Sequence, residues 1–179
     1  MPRYFAFLRA INVGGHTVTM ETLRSMCESF GLSNVETFIA SGNLIFQSTD
    51  PDADALELKI ASGLQRALGY EVATFIRSPA QLAQIAAYPA FSPSDLDTAA
   101  AFNIAFLHAP LDDLAQKKLL GLTSAIDTFV SHEREVYWLC RKKQSESTFS
   151  NAVLERTLAV QSTLRGANTI RKMVARYIS

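Results

Sequence analysis

The segment "RAINVGGHTVTM", residues 9–20, places two adjacent glycines among a guanidinium and an amide. Gly14 and Gly15 are free to take positive φ, which lets consecutive backbone N–H groups point into one concavity suited to an anion. Arg9 adds a cation and Asn12 an amide, and the loop stands just ahead of a helix start, where dipole and open N–H groups favour negative charge. A second short segment, "ASGN" (40–43), carries Ser41, Gly42 and Asn43: a hydroxyl, a glycine and an amide. Together these are the groups that recognise phosphate or carboxylate. The pattern is neither a dinucleotide fingerprint nor a P-loop, and each piece alone also reads as ordinary turn chemistry.

The elements around the two loops decide whether they meet. Tyr4 to Ile11 is dense in aromatic and aliphatic residues, as in a strand buried on both faces. Thr19 caps a helix with the stripe Met20, Leu23, Met26, Cys27 and Phe30, stopped by Gly31. "VETFIA" and "NLIFQS" read as strands joined by a tight hairpin at Ser41-Gly42. Pro51 opens a helix through Leu56, Ile60, Leu64 and Leu68 that ends at Gly69, and "EVATFIR" is a further strand. The order is βαββαβ, the ferredoxin-like arrangement.

After a short helix from Pro79 and the linker-like "YPAFSPSDLD", the pattern restarts. "FNIAFLHA" is a strand, Leu111–Leu120 a helix, "AIDTFVSH" and "REVYWLCR" a hairpin, and Ser150–Leu158 a helix. No closing strand is evident before a last helix from Ile170, capped by Thr169. The expectation is an α+β protein of two ferredoxin-like halves from an internal structural duplication, with mainly antiparallel sheets and helices on one face. The first lobe spans 1–77, a helix and linker 78–101, and a βαββα lobe with its C-terminal helix 102–179. In this topology the end of the first strand and the turn between the second and third lie at one sheet edge, so "RAINVGG" and "ASGN" meet. The second half has "HAPLDD" and "SHERE" in the matching places, without glycine.

With 48% hydrophobic and 19% charged residues and a net charge of zero, the 179-residue chain has the make-up of a globular protein and no global field to draw it to nucleic acid or membrane. From Arg134 onward, nine cations (Arg134, Arg141, Lys142, Lys143, Arg156, Arg165, Arg171, Lys172, Arg176) face three acids (Glu135, Glu146, Glu155), a bias that reads first as solvated helix surface. Two cysteines without framework spacing fit a reducing compartment, and the N-terminus reads as strand rather than signal peptide, so a cytoplasmic location is expected. No membrane association is expected, because the apolar runs are too short to span a bilayer.

The chemistry of catalysis is not visible. His16, His108 and His132 lack metal-ligand spacing, so no metal and no cofactor are expected. Cys27 and Cys140 read as buried thiols, and Ser41 has no recognisable base. Arg9 alternates with Phe5 and Phe7 and has no carboxylate near it in sequence, so a ligand role and a structural role weigh equally.

The segments "RAINVGGHTVTMETLRSMCESFG", "VETFIASGNLIFQS" and "FSNAVLERTL…STLRGANTIRKM" resemble the bacterial family known as domain of unknown function 1697. The resemblance runs almost end to end and implies a two-lobed α+β protein without an assigned activity. The family pattern reads R-G-I-N-V-G-G, then S-G-N, then R-N-W-N-T. By position it matches Arg9, Asn12, Gly14 and Gly15, then Ser41, Gly42 and Asn43, then Arg165, Asn168 and Thr169. Ala10 stands in place of a glycine, and Gly166-Ala167 in place of Asn-Trp, so any aromatic wall of that segment is missing. Asn168 and Thr169 also read as a helix cap, while Arg165 offers a second cation.

Three readings follow. The first is binding of a small anionic ligand at the loop edge of the first lobe by Arg9, Asn12, Gly14, Gly15, Ser41, Gly42, Asn43, Arg165 and Asn168, with no reaction assigned. The second is a protein–protein interaction module, because strands apolar on both faces demand a cover. The third, single-stranded nucleic-acid binding, is the weakest: "NLIFQST" is a poor match to the aromatic pattern of RNA-binding modules of this order. The sequence leaves the oligomeric state open.

Overall fold

The structure, a computed structural model, describes residues 1–11 and 17–178 apart from the side chain of Ser41. Two compact units emerge: residues 1–84 with 173–179, and residues 85–172.

The first unit contains strand β1 (Arg3–Leu8), helix α1 (Met20–Ser29), strands β2 (Ser33–Phe38) and β3 (Ala40–Gln47), helix α2 (Ala53–Leu68) and strand β4 (Thr74–Arg77). The sheet order is β2-β3-β1-β4, antiparallel throughout. Alternation along β1 sorts its side chains between two faces. Tyr4, Ala6 and Leu8 join Leu44 and Phe46 under Leu23 and Cys27 of α1 and Leu56, Ile60 and Leu64 of α2. Phe5 and Phe7, on the opposite face, are equally buried. There the ring of Phe5 meets Tyr177 edge-on at 6.1 Å, and Phe38 does so at 5.8 Å.

Local chemistry sets the helix ends. Thr19 accepts from the Thr22 amide to cap α1, and Gly31 beyond its end takes φ +90°. Asp52, rather than Pro51, opens α2 by accepting from the amides of Asp54 and Ala55, and left-handed Gly69 closes it. Within α2, Glu57 reaches the sheet and accepts from the Ile76 amide of the edge strand β4 at 3.0 Å.

Helices α3 (Pro79–Ala87) and α4 (Pro93–Asp97) follow. The second unit then continues with β5 (Ala101–Phe106), α5 (Asp113–Leu120), β6 (Asp127–His132), β7 (Glu135–Cys140), α6 (Asn151–Leu158) and β8 (Thr163–Gly166). Its order, β6-β7-β5-β8, is again fully antiparallel. Leu119 of α5 and Leu154 and Leu158 of α6 pack with Ala105, Val136 and Trp138 on one face of that sheet. Glu155 of α6 accepts from the Ser162 amide at the entry to β8, as Glu57 does for β4.

Three expectations change. The second half does have a closing strand: "TLRG" has one large apolar residue in four, too little alternation to read as a strand, yet it pairs with β5 from Asn103↔Gly166 to Phe106↔Thr163. The last helix, α7 (Ala167–Tyr177), starts before Thr169, and its end from Met173 groups with the first unit. Met173 is fully buried and Tyr177 is the residue that meets Phe5 and Phe38, so its apolar side chains fix that grouping. The turn between β2 and β3 is not at Ser41-Gly42. It falls at Ile39, with Phe38 opposite Ala40 and Ser41-Gly42 inside β3.

Candidate functional site

At the end of β1, Phe7 pairs with Asn43 and Leu8 with Thr74, and the Arg9 amide still bonds to Ala73 O at 2.9 Å. Because β1 and β3 run antiparallel, the residues after Phe7 and those before Asn43 leave the ladder at the same end of the sheet. Arg9 and the segment Ala40–Gly42 therefore share one edge. Asn12, Gly14 and Gly15 lie outside the described residues, as does His16.

The corner of that edge is unusual. Between Thr37↔Leu44 and Phe38↔Ala40 the register jumps, so one step on β2 spans four on β3 and the chain bulges at residues 41–43. The Asn43 amide, 2% exposed, donates to Phe38 O at 3.1 Å and ties the bulge to the corner. Asn43 thus has a structural role at the edge, with its donor turned toward the neighbouring strand. Ile39 carries the turn at φ +65° and is 62% exposed, and Ala10, just past the end of β1, sits at φ +59°. Left-handed backbone is unfavourable for a residue with a Cβ, most of all a β-branched one.

Arg165 and Asn168 belong to the second unit. The Arg165 Nη1 donates to Thr163 Oγ1 at 2.7 Å and to Leu164 O at 2.8 Å, and loss of water around the guanidinium pushes its pKa down to about 10. Asn168 is exposed in the first turn of α7, where its Oδ1 accepts from Arg171 Nη1 at 3.4 Å; it does not cap the helix. The site residues of the first unit thus converge on one edge where they are described, and Arg165 is held by its own strand.

Neither thiol is poised as a nucleophile. Burial, helped by Glu28, pushes the Cys27 pKa up to about 12, and burial first among several causes raises Cys140. Among the described residues no cluster of His, Cys, Asp or Glu is arranged to hold a metal ion. No helix is long and apolar enough to cross a membrane.

Sequence reasoning missed one polar centre. Asp127, 2% exposed, accepts from Trp138 Nε1 at 2.8 Å, Ser124 Oγ at 3.1 Å and Ser147 Oγ at 2.7 Å. The available signal was a carboxylate inside the apolar strand "AIDTFV", since a buried charge needs several donors.

Two antiparallel four-stranded sheets, each with helices packed on it, define an α+β protein built from two similar halves. The chain belongs to the family described as "Protein of unknown function (DUF1697)", whose profile matches residues 1–137. The match includes Arg9 and the Ala40–Asn43 segment and ends before Arg165 and Asn168. A solved structure of the conserved bacterial protein SP0830 from Streptococcus pneumoniae is similar over 100% of this chain and 99% of that one, with a TM-score of 0.79 and 24% identity. At that identity the likeness speaks for the fold alone. No curated protein matches the chain.

Proposed function

We propose that this protein binds a small anionic ligand, bearing phosphate or carboxylate, at the loop edge of the first sheet. The observation that carries this reading is the Phe7↔Asn43 register, which brings the end of β1 with Arg9 to the same edge as the Ala40–Gly42 segment. The glycine pair 14–15, expected from its sequence to form a backbone nest, follows Arg9 by five and six residues in sequence. Arg9 supplies the charge in this reading and the backbone amides supply the shape. No catalytic step is assigned. We further read each half as a ferredoxin-like unit descended from one duplicated ancestor; the shared order of β2-β3-β1-β4 and β6-β7-β5-β8 supports this. Two buried free thiols support residence in a reducing compartment such as the cytoplasm.

The competing readings have less support. An interaction module was suggested by strands apolar on both faces, yet Phe5, Phe7 and Phe75 are fully buried within the single chain. Nucleic-acid binding on an open sheet face needs exposed aromatics on the central strands, and these same side chains are inaccessible.

Thermal unfolding with inorganic phosphate, phosphate esters and small carboxylates tests the proposal. An anion that binds at a hundred times its Kd raises stability by about 2.7 kcal/mol. Wild type should gain in melting temperature, Arg9→Lys should keep part of the gain, and Arg9→Gln should lose it while staying folded. No gain with any anion, or the same gain in Arg9→Gln, would overturn it.

A further inference from the structure

The other end of the first sheet holds a second concavity, on the face turned away from α1 and α2. Arg3 is paired with Gln47 on β3, and Glu36 with Ile45, so the four side chains share that face. With the β-bulge between Ser33 and Glu36 and the left-handed Asn34 (φ +48°), they enclose a groove of about 340 Å³. Ile45 lies beneath it but is only 1% exposed, so the surface offered to a ligand is that of the polar walls.

The walls carry opposite charges. Arg3 is anchored from behind: its Nη1 donates to Tyr177 O at 2.7 Å and its guanidinium lies over the Tyr177 ring at 5.8 Å. A guanidinium has five N–H donors in a planar fork, so this anchoring orients it and leaves donors over. Glu36 is exposed on the opposite wall. Between them the Asn34 side-chain Nδ2 donates to the Gln47 side-chain Oε1. That bond turns one acceptor, Asn34 Oδ1, and one donor, Gln47 Nε2, to other partners. These are the complements of a peptide N–H and C=O.

We propose that this groove binds a zwitterion of dipeptide length, its carboxylate on Arg3, its ammonium on Glu36 and its peptide group on Asn34 and Gln47. Length supports two residues over one. Arg3 and Glu36 stand two strand spacings apart across the sheet and two residues apart along it, about 12 Å between Cα atoms. An extended two-residue chain reaches about 7 Å and leaves room for a contact at each end. The groove and the loop edge lie at opposite ends of β1, so this site stands independently of the anion site.

The test is a calorimetric titration of the full chain with the dipeptide Ala-Leu, its N-acetylated form and its C-terminal amide. Ala-Leu should bind, and blocking either end should weaken binding about tenfold or more, the scale of one charge-assisted hydrogen bond. Glu36→Gln, a surface change that leaves the fold intact, should weaken Ala-Leu about tenfold and leave the weak binding of the acetylated form unchanged. Arg3→Lys should weaken Ala-Leu and leave the C-terminal amide unaffected. No heat from Ala-Leu at millimolar concentration, equal binding of blocked and free forms, or unchanged affinity in Glu36→Gln would overturn the assignment.

Discussion

The indole Nε1 of Trp138 donates to Asp127 Oδ1 at 2.8 Å, joining the central strand β7 to its neighbour β6 in the interior of the second unit. The other carboxylate oxygen receives Ser124 Oγ from the preceding turn and Ser147 Oγ from the segment before α6. Ser147 also accepts from the Phe149 amide, and the Phe149 ring packs on Trp138 at 4.7 Å. One carboxylate therefore organises a strand pair, a turn and the approach to a helix.

Removing it should be costly. Asp127→Ala strands the indole N–H and two hydroxyls, and we expect a loss of about 3 kcal/mol, from hydrogen bonds to a charged group in a dry site. Asp127→Asn keeps an acceptor for the indole and should lose about 1 kcal/mol. Urea unfolding followed by tryptophan emission reads both, since Trp138 is the chain's one tryptophan. A loss below about 0.5 kcal/mol for the alanine variant would deny the carboxylate this role.

The turn at Ile39 should be improvable. A left-handed conformation costs an L-residue about 1–2 kcal/mol, and glycine's greater freedom in the unfolded chain returns about 0.5–1 kcal/mol of that. Ile39→Gly should therefore raise stability by about 0.5–1 kcal/mol, or a few degrees in melting temperature. Ala10→Gly should act in the same direction by less, because alanine is not β-branched. A clear loss of stability in Ile39→Gly would mean that the exposed side chain contributes packing that its 62% exposure does not suggest.

Alkaline pH should destabilise the first unit through Cys27. Its thiol ionises near the ordinary value of 9.0 when unfolded and at about 12 when folded, so between these pH values the folded chain binds more protons. Stability contributed by this group is complete below pH 9 and falls as pH rises through the window, with a limiting slope of about 1.4 kcal/mol per pH unit. Cys27→Ala should show a shallower decline than wild type above pH 9 in denaturant titrations, whatever its stability at neutrality. Identical slopes would contradict the assignment. In the native chain Cys27 and Cys140 should both resist thiol reagents and both react once it is unfolded.

Much of the fold was legible because caps and alternation are local. Thr19, Gly31 and Gly69 mark their helix ends in sequence and in space, and the strand pattern of β1 survives intact. The Ile39 corner was not legible: Ser41-Gly42 is the better local turn, and tertiary pairing of Asn43 with Phe7 on β1 overrides it. Strand β8 escaped for a similar reason, its order coming from β5 rather than from its own residues. Of the loop edge, the convergence of Arg9 with the 40–43 segment was readable from topology. The bond of Asn43 to Phe38 O was not, because it depends on a bulge that no spacing rule announces.

Glu57 and Glu155 each reach from a helix to occupy an outward-facing amide at the last strand of a sheet. A bare sheet margin is a template on which a stray strand, from this chain or another, can add itself and seed insoluble aggregates. A carboxylate there both blocks the donor and repels an incoming backbone carbonyl. The bulged β2, with left-handed Asn34, offers an equally poor template on the far side of the first sheet. The first unit is in this way guarded against runaway polymerisation on both flanks.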